Sequence, residues 1–151
     1  MTSPAAVAKS RSKSRSKVVS VTKNASVLEA VTAMVEQNVG ATVVLDEGRL
    51  VGIFTERDVA RRVALKRLPS ESTPVGEVMT KTVITVREDA DRSSVLRLMK
   101  EHHVRHLPVV DGSGTVVTVL SMRHLLRAEV QDLEQTVWQL VAETAIDGPG
   151  G

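Results

Sequence analysis

The sequence predicts an α+β fold, made of two copies of one β-α-β-β-α unit with a helical extension behind them. Three observations carry that expectation. The chain aligns with itself at a fixed offset, short apolar runs of strand length alternate with helically spaced segments, and an amphipathic stretch continues past the second copy. At an offset of 65, Ser20-Val21 faces Thr85-Val86, Ala25 faces Ala90, Met34 faces Met99, Val39 faces Val104, Val44 faces Val109 and Asp46 faces Asp111. One extra residue in the second turn raises the offset to 66. Gly52-Ile53-Phe54-Thr55 then faces Thr118-Val119-Leu120-Ser121, and Asp58 faces His124.

In the first copy, Val18–Val21 reads as a strand, and Ser26 caps a helix to Gln37 with Leu28, Val31, Met34 and Val35 inward. Ala41–Leu45 and Leu50–Phe54 are strands joined by the turn residues Asp46-Glu47-Gly48, and Glu56–Lys66 is the second helix. In the second copy, Val83–Val86 is a strand and Asp91 caps a helix to His102. Leu107–Val110 and Val116–Leu120 form the hairpin around Asp111-Gly112-Ser113-Gly114, and the last helix starts near Met122. The organisation expected is a basic tail over 1–17, repeat one over 18–67, a linker over 68–80, repeat two over 81–127, and a helix with its tail over 128–151. In the last segment Leu126, Val130, Leu133, Val137 and Leu140 recur at spacings of 4, 3, 4 and 3, a heptad seam. Packing on its own domain and self-association both fit that seam, with Trp138 beside it covering an interface.

Composition narrows the function. The 151 residues are 42% hydrophobic but hold one Phe, one Trp and no Tyr, so the core is aliphatic and base stacking on aromatics is excluded. The absence of Cys removes disulfides, thiolate metal sites and a cysteine nucleophile, and fits a cytoplasmic location. No apolar run approaches the roughly 18 residues of a membrane span. The net charge of +2 is uneven: Lys9, Arg11, Lys13, Arg15 and Lys17 lie in the tail, leaving 15 basic residues against 18 acidic ones elsewhere. That Ser-Arg/Lys tail reads as a solvated, disordered segment, and weak contact with nucleic acid is its functional alternative.

The most informative run is Gly52-Ile53-Phe54-Thr55-Glu56-Arg57-Asp58, where a buried strand turns into a helix. In the plain reading, Thr55 is the N-cap and Asp58 the reciprocal residue of a capping box. In the sharper reading, the same free N–H groups and positive helix end suit an anion, Gly52 lets a ligand approach the backbone, and Asp58 accepts hydrogen bonds from the two hydroxyls of a ribose.

Taken with Val78-Met79-Thr80 before the second copy and Arg105-His106-Leu107-Pro108-Val109-Val110-Asp111 inside it, this run makes residues 18–127 resemble a tandem cystathionine β-synthase (CBS) domain pair, a Bateman module. The resemblance implies two repeats packed around a pseudo-twofold axis, modules that pair again as homodimers, and adenosyl ligands in the clefts between repeats. AMP or ATP is the first expectation, with NAD(H) or S-adenosylmethionine behind it, and no cofactor is required. By position, Asp58 resembles the ribose carboxylate and Thr55 the hydroxyl near ribose and α-phosphate. Ser20, Val21, Ala41, Thr42 and Val43 resemble the adenine walls. Arg105, His106 and Arg123 resemble phosphate-reaching cations, with Ser121 as the counterpart of Thr55. The second copy departs from the pattern: Thr118 replaces the glycine, His124 the aspartate, and Gly40 stands where repeat two has Arg105. One competent ribose site, in repeat one, is therefore expected.

The remaining constellations read as structure. His102, His103 and His106 straddle a helix-to-strand change and lack a well-spaced carboxylate, so a metal site is not expected. Arg61 and Arg62 read as a solvated helix face, Met34 and Met99 as core, and no acid, base and nucleophile converge. The expected function is a non-enzymatic adenine-nucleotide sensor acting on an unidentified protein partner. Its rivals are a scaffold that binds no nucleotide and a nucleic-acid-associated regulator acting through the tail.

Overall fold

A computed structural model of the chain describes residues 18–146. The basic tail and the Gly-Pro end lie outside the described residues. In the first copy, strand β1 (Ser20–Thr22) lies parallel to β2 (Ala41–Asp46), which pairs antiparallel with β3 (Arg49–Thr55). Helix α1 (Val27–Glu36) makes the crossover from β1 to β2. Helix α2 (Glu56–Asp58) follows β3 without a break. It continues over Val59–Ala64 in wider π turns, in which Leu65 N–H donates to the Ala60 carbonyl five residues back. After a short helix α3 (Val75–Val78), the second copy repeats the order as β4 (Val86–Arg87), α4 (Arg92–Glu101), β5 (His106–Val110), β6 (Val116–Ser121) and α5 (Met122–Ile146). The two sheets are separate, each with three strands in sequence order.

The duplication extends to backbone detail. Ser26 and Asp91 cap α1 and α4, accepting from the amides of Glu29 and Ser94 at 3.1 and 2.7 Å. Both helices end on a left-handed residue, Asn38 at φ 52° and His103 at φ 53°. Both hairpins turn on a left-handed glycine, Gly48 and Gly114, and both carry a register shift at the same place, Val44/Leu45 and Val109/Val110. Gly40 accepts from Glu56 N–H as Arg105 accepts from Met122 N–H, the same joint seen twice.

Each repeat has its own core. Val27, Ala30, Met34, Val44, Phe54, Val63, Val75, Val78 and Met79 form the first; Val86, Val95, Met99, Leu107, Val109, Leu120 and Leu125 form the second. The linker belongs to the first core and also completes α1. The Thr73 and Ser70 carbonyls accept from Val27 and Leu28 N–H, two of the amides that a helix start leaves without internal partners.

Three expectations need correction. Leu28 and Val35 face outward, at 43% and 74% exposure, because Val27, Ala30 and Met34 form the stripe that faces the core. The strand expected at Val83–Val86 pairs only over Val86–Arg87. Of the two readings of the α5 seam, packing on its own domain does not hold among the described residues: Leu126, Val130, Leu133, Val137 and Leu140 are 48–59% exposed, and Trp138 beside them is 71% exposed.

Candidate functional site

The site forms where β3 becomes α2. Thr55 ends the strand in extended geometry and caps the helix, so the next turn carries Asp58 back over the Thr55 amide. Asp58 Oδ2 accepts from Thr55 N–H at 3.0 Å and from the Thr55 hydroxyl at 3.3 Å. The Thr80 hydroxyl donates to both carboxylate oxygens, at 3.1 and 3.3 Å. Arg62 Nε lies 3.4 Å from Oδ1, while its Nη1 donates to the Met79 carbonyl at 3.0 Å. Asp58 is 6% exposed. A buried carboxylate needs this density of donors, since an unpaired charge out of water is costly.

The Val78–Thr80 segment closes over this point. Thr80 and Ile53 exchange backbone hydrogen bonds at 2.9 and 3.0 Å, fastening the segment to β3. Met79 lies against Gly52, where an added Cβ would fall 2.8 Å from its Cγ and closer still to its Sδ. Gly52 therefore makes room for Met79, and the expectation that it clears the backbone for a ligand does not hold in this conformation. Arg62 lies on a solvated helix face as expected, and from there it also pairs with Asp58 one turn earlier, an i,i+4 contact.

The second repeat meets the first at the foot of α2. The His106 ring, at the start of β5, packs 3.3 Å from where a side chain on Gly40 would begin, and the Glu56 carboxylate shares that space at 3.4 Å. Arg57 Nη1 donates to the His103 carbonyl at 3.2 Å. Burial pushes the His106 pKa below the ordinary histidine value; Glu56 opposes the shift, and His124 and Arg105 reinforce it. Glu56, at the start of α2, is thus the group facing His106 across the repeats.

The other expected residues divide. Arg105 and Arg123 are exposed, and Ser121, half-buried, is in register with His106 across β5 and β6. Ser20 is exposed, while Val21 packs on the first core. Ala41, Thr42 and Val43 are buried, with the Thr42 hydroxyl donating to the Val19 carbonyl at 3.0 Å. The structure thus brings Thr55 and Asp58 together, sets the foot of β5 against Gly40 and Glu56, and leaves Thr42 and Val43 no free surface. Thr80 and Met79 were missed as site residues although their motif was quoted, because nothing local in the sequence says what they lie against. Among the described residues, no group of three or more His, Asp or Glu could hold a metal, and no helix is long and apolar enough to cross a membrane.

Comparison with known proteins agrees with this architecture. The CBS domain family pattern matches residues 13–65 and 75–131. An uncharacterized 17.7 kDa protein of Acidianus ambivalens is 38% identical over 74% of this chain and 67% of its own length. The mitochondrial CBS domain-containing protein CBSX3 of Arabidopsis thaliana is 35% identical over 77% of this chain, which spans 58% of that protein. Among solved structures, a putative signal-transduction protein with CBS domains from Burkholderia ambifaria superposes with a TM-score of 0.77 at 38% identity, covering 83% of this chain and 91% of that one. The CBS domain pair of protein MJ0100, in complex with 5′-methylthioadenosine and S-adenosyl-L-methionine, has a TM-score of 0.69 at 28% identity, over 77% and 90% of the two chains. The cytosolic domain of the Mg2+ channel MgtE, in complex with ATP, has a TM-score of 0.59 at 29% identity, over 73% and 44%. This chain belongs to the CBS domain family and carries the domain as a tandem pair.

Proposed function

We propose that this CBS pair is a regulatory, non-catalytic module that binds an adenine nucleotide beside Asp58. The observation that carries the reading is the ring of donors on that carboxylate. Two of its partners are hydroxyls, those of Thr55 and Thr80, and a ribose diol offers the same groups in the same role. The ribose displaces Thr80 from Asp58, and phosphate extends toward the foot of β5, where Arg105 and His106 lie with Arg123 behind them. A guanidinium such as that of Arg105 suits phosphate because its fork pairs two oxygens. AMP or ATP is the favoured ligand and NAD(H) the next. Repeat two has Thr118 and His124 in place of the glycine and the carboxylate, so one nucleotide binds per chain. The complexes of MJ0100 and MgtE support the ligand class. Thr80 sits in the connection between repeats, so releasing it gives the ligand a lever on their relative setting, and that differential affinity is what a partner protein reads.

Thermal-shift measurements with AMP, ATP and NADH test this. At a hundredfold excess over Kd the native state gains about 2.7 kcal/mol, a Tm rise of roughly 8 °C for a chain of this size. Asp58→Asn, compared with its own ligand-free melt, loses the shift. No shift with any of the three nucleotides leaves the second reading, a scaffold that binds none. That reading draws on the closure already described: Asp58 satisfied inside the fold and Met79 filling the space beside Gly52.

A further inference from the structure

The two repeats pack separate cores, and the joint between them at the foot of α2 is polar. Arg57 holds the His103 carbonyl there, and the His106 ring takes the space that Gly40 leaves without a side chain. The contact is one-sided. Gly40 and Ala41 stand in repeat one where repeat two has Arg105 and His106, so the ring has no titratable counterpart in the first copy. Its seat favours the neutral form. The ring is half-buried, so an imidazolium there gives up part of its hydration. Glu56 faces it from the start of α2, while His124 faces it from the start of α5 and Arg105 from the residue before. One carboxylate thus stands against two basic groups. The lost hydration adds to their repulsion, and the His106 pKa lies below the ordinary histidine value. His106 belongs to neither core, so it can leave its seat without unfolding either repeat.

We propose that His106 is a proton-operated latch between the repeats: the neutral ring seated against Gly40 holds their relative setting, and the imidazolium leaves that seat and releases them. This goes beyond the nucleotide reading and does not depend on it. The lever is the difference in proton affinity between the seated and the released ring, so acid favours the released setting.

Spin-label distances measured by pulsed electron resonance on the full chain without nucleotide test it. Thr32 of α1 and Arg97 of α4 are exposed and occupy equivalent positions in the two copies. The chain has no Cys, so Thr32→Cys with Arg97→Cys places one label in each repeat. Dilution with unlabelled chain confines the reading to distances within one molecule. Between about pH 7.5 and about pH 5, on either side of the ordinary histidine pKa, the mean distance should shift by about 2 Å or more, with the circular dichroism spectrum unchanged. His106→Gln, which takes up no proton, should abolish the shift. Gly40→Val, whose side chain fills the seat, should give the acid distance already at neutral pH. A distance indifferent to pH, a shift that survives in His106→Gln, or a Gly40→Val chain that keeps the neutral distance would each overturn the proposal.

Discussion

His106 is a half-buried base lodged in the space that Gly40 leaves, facing Glu56 of the first repeat, with Arg105 and His124 on its own side. Its folded pKa is below its unfolded one, so the unfolded chain takes up the proton first as the pH falls. Stability is then fully present above the ordinary histidine pKa and is lost as the pH drops from there toward the folded value. Asp91 and Asp111, whose hydrogen bonds lower their pKa values, contribute stability that is lost only in the more acidic range, as the pH falls below the ordinary carboxylate value. Melts of the ligand-free chain between neutral pH and the lower end of the histidine range should therefore show Tm falling with pH, and His106→Asn should flatten that slope. A slope unchanged in the variant would remove His106 as its source. The candidate residues Thr55 and Asp58 were legible because a capping box is a local pattern, four residues long. What was not legible was that the carboxylate's remaining capacity goes to Thr80 and Arg62, since the first lies 22 positions away.

Between elements, the tightest fit is β3 against the Val78–Thr80 segment. Gly52→Ala should destabilise the chain by about 1–3 kcal/mol, because Met79 is itself 6% exposed and has little room to retreat. Adding Met79→Ala should recover part of that loss, measured by denaturant unfolding. A Gly52→Ala chain as stable as wild type would contradict the packing account. Element order was readable to within a few residues, since turn glycines, caps and apolar runs are local. Helix facing was less so. In α1 the buried stripe Val27, Ala30, Met34 shares only Met34 with the expected stripe Leu28, Val31, Met34, Val35, because apolar residues lie on both neighbouring faces of the helix. The 4, 3, 4, 3 spacing of the α5 seam is a local pattern, but sequence pattern cannot say whether a seam meets its own domain or another chain.

For the whole molecule, the two repeats are alike in backbone and unlike in chemistry. Repeat one keeps the carboxylate of Asp58, and repeat two sets the His106 ring against Gly40 and Glu56. Thr80 connects these parts, because its hydroxyl occupies Asp58 while its backbone holds the connection to β3. If nucleotide displaces that hydroxyl, Thr80→Val should lower the ligand-free stability by about 1–2 kcal/mol, as a buried charge loses a donor. The same variant should bind AMP severalfold more tightly by titration calorimetry. Weaker binding in Thr80→Val would mean that the hydroxyl belongs to the ligand site rather than competing for it.

The most direct measurement compares AMP with its 2′,3′-dideoxy analogue by titration calorimetry on the wild-type chain. Hydrogen bonds to a charged group contribute about 1.5–3 kcal/mol each, so loss of both hydroxyls should weaken binding by a hundredfold or more, with one AMP bound per chain. Equal affinity for the two, or no heat with either, would contradict a ribose held at Asp58.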